Sequence, residues 1–360
     1  LERRLSKRGK SIGTMSDTAS LLEEAREITR QAKINAAIQK RNRLINAKRY
    51  AEIKERLNQF GDDAPETLQA IMVGSLKCRN QGRVSVDGNG HAIMVDNAGV
   101  LLHEIQKRDL VELFKSGDLD QDIYKELFDG FGSSGNNKAR EIAEAVQKVQ
   151  KRLLRRKNRA GANIRELANY VVRQRHDPML MRDAGYDEWK AFILPRLDLE
   201  KTFKNLAPNQ TEEDFLRGAY DALVSGNHQK TTALYGDDGK VDPLTAFKGP
   251  SNLAKKLSAE RVLHFADGKA SHEYAEQFSR MSLSESVLAG ITHDAQTIAL
   301  METFGTNPRA MFDRIIKDLE DAVVGDTAKL DSINQKKRTL ENQLLEHDGS
   351  NRAREASLMR

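Results

Sequence analysis

Apolar residues recur along most of the chain three and four positions apart, the spacing that lines one face of a helix. The clearest stretch lies within 258–325. Between Leu283 and Phe304 the apolar positions are Val287, Leu288, Ile291, Ala295, Ile298 and Ala299. Ser282, with Glu285 three residues on, is a capping box in which each side chain satisfies a free backbone N–H. Gly305 suits the left-handed position that closes a helix. Asn307-Pro308 starts another helix, with Asn as N-cap and Pro where no N–H is needed. That second helix carries Ala310, Met311, Ile315, Leu319, Ala322 and Val323, and stops near Gly325. The pattern predicts an αα-hairpin over 282–325.

The rest of the chain follows the same period with one exception. From Asp17 a long helix carries Leu21, Leu22, Ala25, Ile28, Ala32, Ile38 and Ile45, extended by Ile53, Leu57 and Phe60. Glu23, Glu24 and Glu27 sit near its positive end. A stripe this narrow needs a partner. Pro65 opens a shorter helix. Residues 82–95 read as a β-hairpin: Val84 and Val86, then Asp87-Gly-Asn-Gly90, then Ala92-Ile-Met-Val95. Helices are predicted over 98–115 and 119–130, and Gly132-Ser-Ser-Gly135 breaks the chain. Ile142, Val146, Val149 and Leu153 then step by four and three, as in a coiled-coil seam. Further helices are expected over 163–175, 178–183 and 186–194, and from a Thr211/Asp214 cap to Gly226. Residues 227–250 are polar and rich in Gly, Asp and Pro. Leu330, Ile333, Leu340 and Leu344 form a last seam.

The predicted class is mostly α: an extended multi-helix bundle with coiled-coil-like seams and one small β-hairpin near 82–95. Its expected divisions are a basic arm or linker (1–16) and an N-terminal helical region with the hairpin (17–131). A basic central helical region (132–226) and a loop-rich connector (227–257) follow. A C-terminal helical hairpin and seam helix (258–349) and a polar tail (350–360) complete the chain. Aromatics make up only 6% of the residues against 31% charged, which favours thin apolar seams over a thick core. The net charge of +5 is mild but segregated. Residues 1–60 hold 15 Lys/Arg against 7 Asp/Glu, and residues 138–176 hold 12 against 3, leaving the remainder net acidic. Such segregation points to an electrostatic partner or to basic and acidic faces pairing. The single cysteine, Cys78, excludes an intrachain disulfide. No apolar run approaches the length that spans a bilayer. The chain begins with Leu-Glu-Arg-Arg, which reads as a piece of something larger or a processed product.

Motifs with chemical potential are few. Asp118, Asp120 and Asp122 alternate as in a calcium loop, but Ile123 stands where the sharp turn needs Gly, and Asp129 where Glu is usual. His272-Glu273 resembles the start of a zinc helix, but Glu276 replaces the second His, and His264 and His293 are distant in sequence. Gly132-Ser-Ser-Gly135 is a flexible break more often than an anion cradle, and Cys78 with a distant His91 makes a poor nucleophile pair. No catalytic residue, metal site or cofactor is expected. The segment Lys151, Arg152, Arg155, Arg156, Lys157 and Arg159 is the candidate contact site, for nucleic-acid phosphates or for another subunit. It lacks interleaved aromatics for base stacking. The bland alternative is a helix end whose cations favour the dipole and pair with acidic neighbours.

Five segments occur in order between residues 176 and 316: His176-Asp-Pro-Met, Trp189-Lys-Ala-Phe-Ile-Leu-Pro-Arg-Leu-Asp198, Phe215-Leu-Arg-Gly-Ala-Tyr220, His264-Phe-Ala-Asp-Gly268 and Asn307-Pro-Arg-Ala-Met-Phe312. Together, over less than half the chain, this series resembles the large internal virion and ejection proteins of short-tailed bacteriophages. The resemblance implies a structural virion protein, not an enzyme, packaged beside the genome or ejected with it. It would oligomerise through helical seams into part of an internal core or DNA-ejection conduit. Its implied partners are other copies, other virion proteins and phage DNA through phosphate contacts, with membrane contact only through a larger assembly. Its implied location is the virion, then the host envelope or cytoplasm after ejection. The alternative is a nucleic-acid-binding helical module of a larger phage enzyme. An enzyme domain using His264, His272 or His293 ranks last.

Overall fold

The computed structural model describes residues 18–59, 64–74, 85–164, 176–204, 206, 210–224, 253–257 and 263–347. Among them the regular structure is helical, and the one β pairing is an isolated antiparallel bridge between Leu197 and Phe265. The mostly α class is thus observed. Helix α1 (Thr18–Asn58) is followed by α2 (Ala64–Val73), α3 (Val86–Gln106), α4 (Val111–Ser116), α5 (Asp120–Phe128) and α6 (Asn137–Ala160). Next come α7 (Pro178–Ile193), α8 (Leu199–Phe203), α9 (Glu212–Val224), α10 (Leu253–Leu257) and α11 (Gly268–Phe278). The described chain ends with α12 (Leu283–Phe304), α13 (Pro308–Ala322) and α14 (Thr327–His347).

The caps lie where the sequence places them. Ser282 and Glu285 form the reciprocal capping box of α12, and Asn307 accepts from the Ala310 N–H at the start of α13. Gly305, at φ +81°, ends α12 and donates its N–H to Met301. Thr211 and Asp214 exchange side-chain and backbone bonds ahead of α9. In α7, Gly185 leaves helical geometry at φ +75°, which separates the two expected short helices.

The hairpin expected near 82–95 is corrected: residues 86–95 are the first turns of α3, and residues 82–84 lie outside the described set. Ser85 accepts from the Gly88 N–H and so caps a helix where a turn was expected. The buried positions Val86, Gly90, Ile93, Asn97 and Leu101 keep helical spacing through the glycines. Gly90 is buried against α12, where a Cβ would stand 3.7 Å from both the Ala299 side chain and the Gln296 backbone, an ordinary van der Waals contact that alanine could also make. The cost of glycines in this helix is offset by burial of the Val86–Leu101 face. The helix expected over 98–115 also divides, at a turn where Asp109 adopts φ +54°. The arm at 1–16, Cys78, most of the 163–175 helix, the 227–250 loop and the 350–360 tail lie outside the described residues.

Two cores result. The larger is aliphatic and centres on α12, α3 and α6, with α2, α13 and α14 around them. The smaller is aromatic and joins α7 and α9 to α11 through Trp189, Tyr220, Phe265, Tyr274 and Phe278. Phe128 of α5 packs against both. The seams expected to bury against other copies or other parts of a larger chain pack inside this one: Ile142, Val146, Val149 and Leu153 of α6 are buried, as are Ile333, Leu340 and Leu344 of α14, while Leu330 is half-buried.

Candidate contact surfaces

Helix α6 is capped at its start by Asn136, whose side chain accepts from the Lys138 and Ala139 N–H groups, and at its end by Gly161. Its apolar face enters the aliphatic core, so its cations are forced to the flanks. There several meet acids from α3 and α12. Lys148 Nζ donates to Glu104 at 2.9 Å and Arg152 to Asp96 at 2.7 Å. Arg156 grips Glu302 through Nε and Nη2, both at 2.9 Å, and Asn89 donates to the same carboxylate at 3.0 Å. Lys157, itself buried, reaches Asp294 at 2.7 Å. Burial pushes the Glu302 carboxyl up, but the bonds from Arg156 and Asn89 outweigh it and hold the group below the ordinary range. Hydrogen bonds from Lys107 and Lys148 hold Glu104 down to about 2.

The six predicted contact residues therefore divide. Arg152, Arg156 and Lys157 are engaged within the subunit. Lys151 is half-buried. Arg155 and Arg159 are exposed and form no ion pair among the described residues. Lys148, Arg152, Arg155 and Arg159 follow at steps of four, three and four, so they make one basic stripe. Sequence reasoning missed the acids Asp96, Asp294 and Glu302, although the acidic remainder of the chain signalled that partners for the cations exist.

Beside this stripe an open groove of about 420 Å³ runs between α3 and α6, lined by Val95, Gly99, Val100 and the charged pairs Asp96–Arg152 and Glu104–Lys148. Val95 is 51% exposed, and Leu102, one helical turn on from Gly99, is 43% exposed. A second surface belongs to α1. Its C-terminal half is fastened down: Arg41 donates to the Gly161 and Ala162 carbonyls at the end of α6, and Asn46 accepts from the Thr306 N–H. Its N-terminal half is different, for no described side chain between residues 22 and 40 is buried.

The other candidates have structural employment. Asp118 bonds Ser116, Asp120 accepts from the Leu283 N–H at the start of α12, and Asp122 accepts from Asn136. His272 packs edge-on to Tyr124 and faces Glu276. The His264 carbonyl accepts from the Asp198 N–H beside the β bridge, while His293 lies on α12. No group of three or more His, Cys, Asp or Glu among the described residues could hold a metal ion. The Gly132–Gly135 loop is a cradle after all, for the protein's own carboxylate: Glu126 accepts from the Gly132 and Ser134 N–H groups and from the Ser134 hydroxyl. Among the described residues no helix is long and apolar enough to cross a membrane. Comparison with protein-family models, curated proteins and solved structures finds no match to this chain.

Proposed function

We propose that this chain is a structural component of a bacteriophage particle, an internal or ejected virion protein that works by assembling with copies of itself and with other virion proteins. The α1 arm carries this proposal. Helices in proteins draw most of their stability from packing an apolar face, yet residues 22–40 bury no described side chain in the subunit. Leu22, 60% exposed, and Ile34, 39% exposed, lie along it. An arm of this kind gains its stability from a neighbour. The resemblance of the 176–316 segments to ejection proteins supports the setting in the virion and, after ejection, in the host envelope or cytoplasm. Sedimentation velocity and negative-stain imaging of the purified protein test the proposal. Rings, tubes or defined oligomers are expected, and a monomer at every accessible concentration overturns it.

A second function is favoured by the exposure of Arg155 and Arg159: a helical module that holds nucleic acid by its phosphates. Binding would then be sequence-blind and fall steeply with salt. Reversing both residues to Glu is expected to remove that binding with helix content unchanged, because Glu is nearly as good a helix former as Arg. Salt-insensitive retention of DNA, or retention by the double variant, would count against it.

A further inference from the structure

We infer that the α1 arm lies along a nucleic-acid duplex and holds it by its phosphates. This rests on the nucleic-acid function proposed above and gives it a second element, on a different helix from Arg155 and Arg159. Arg26, Lys33 and Lys40 are exposed, form no ion pair among the described residues, and repeat every seven positions. A step of seven returns to within about 20° of the same direction, so the three make one stripe about 21 Å long. Arg30 falls between them on the same side, and its bond to Glu27 at 3.3 Å is open to water and weak. The arm's acids all come before residue 28. From 28 to 51 the chain holds seven Lys or Arg and no Asp or Glu. Arg26 and Arg30, four apart on one helix, repel each other, and a polyanion laid along the stripe relieves that repulsion.

The make-up of the stripe selects the partner. The centre of a protein interface takes up aromatic and apolar side chains and is poor in Lys. A lipid surface takes up a broad apolar face. Here the large apolar Leu22 and Leu44 stand only at the two ends of the stripe, and Ile28 and Ile34 lie off it. Between residues 22 and 44 no aromatic occurs, so the bases of a single strand would find nothing to stack on. A duplex asks only for cations set along a line, whatever its sequence. Because residues 22–40 bury no described side chain, the whole stripe is open to such a partner without any change in the subunit.

The test compares the full chain with a variant carrying Arg26→Gln, Lys33→Gln and Lys40→Gln. Gln matches Lys and Arg as a helix former, and none of the three side chains is buried or ion-paired among the described residues, so helix content and melting should not move. Fluorescence anisotropy of a short labelled DNA duplex is followed against salt. Each lost phosphate contact lowers the slope of log affinity against log salt by about 0.9, so the triple variant should lose about 2.7 in slope. It should also bind about tenfold more weakly or worse near physiological salt, equally for unrelated sequences. Wild-type affinity and slope in this variant, with binding abolished by Arg155→Glu and Arg159→Glu, would overturn the arm contact and leave the nucleic-acid function standing. A wild type that binds no duplex at low salt overturns both. Tighter binding of a single strand of the same length, or displacement of the duplex by an acidic polypeptide at matched charge, overturns the duplex as the partner.

Discussion

The two cores solve the same packing problem with different materials. The aliphatic core uses long helices whose small and branched residues interlock over many turns, with Gly90 and Ile93 of α3 buried beside Ala295 and Ala299 of α12. The aromatic core has short helices to work with, and there rings supply the area that length cannot. Trp189 is fully buried, touches Tyr186 and Tyr220, and donates its indole N–H to the Tyr274 hydroxyl at 3.2 Å. Tyr220 donates in turn to the Met181 carbonyl at 3.0 Å. Large rings deliver much apolar area per residue and need a partner for each polar tip. A low overall aromatic content thus conceals a local concentration. Polar fastening differs as well. Around the aliphatic core, acids such as Glu104 and Glu302 are shielded and tied to cations of α6. The Glu213 carboxylate, which binds Lys190 and Tyr186 beside the aromatic core, is more open to water.

The largest expected effect comes from placing a charge in the aliphatic core. Ile291→Asp would bury a carboxylate at a position only 4% exposed, with a penalty of several kcal/mol, of the order of a domain's whole stability. Thermal melting followed by circular dichroism should show most helix lost at ordinary temperature. Trp189→Ala comes next, at about 3–5 kcal/mol for an emptied ring site. Denaturant unfolding of that variant decides whether the cores are independent: a second, unaltered transition from the aliphatic core would make them separate cooperative units, and one shifted transition would join them. Tyr274→Phe removes the acceptor for Trp189 together with a long hydroxyl bond of 4.0 Å to the Met181 sulfur, and about 1–3 kcal/mol is expected, chiefly for the buried indole donor left unpaired.

Acid should separate the cores by their carboxylates. Glu104 and Glu302 titrate below their ordinary values in the folded protein. Their stabilisation is therefore complete above the unfolded value near 4.5 and is lost as pH falls toward the folded value, about 2 for Glu104. Glu213 is also lowered, but its exposure screens the contribution. Acidification through that window should reduce the helical signal before it alters the fluorescence of Trp189, the only tryptophan. Fluorescence changing first would reverse the ranking of the polar fastenings. The smallest effect is expected from Arg155→Glu with Arg159→Glu, within about 0.5 kcal/mol per site, because neither pairs with a described residue of its own subunit. A larger loss of subunit stability would mean that the stripe fastens the fold.

The sequence by itself determined where most helices start and stop, because caps are local. Ser282 and Glu285, Asn307-Pro308, and Thr211 with Asp214 each satisfy backbone groups within a few residues, and no distant contact is needed to set them. It also determined the buried stripes of α6 and α12, where the period is long and unbroken; Leu288, assigned to the α12 stripe, is nevertheless 41% exposed. Only the tertiary structure decided the conformation of 86–95. Asp87-Gly-Asn-Gly90 is compatible with a turn locally, and the choice of helix depends on the approach of α12, some two hundred residues away. The same holds for the basic segment. Its composition announced charge, but whether a cation faces solvent or an acid depends on which helix packs beside it. Arg156 found Glu302 and Arg155 found none among the described residues, although they are neighbours in sequence, because successive residues on a helix point about 100° apart.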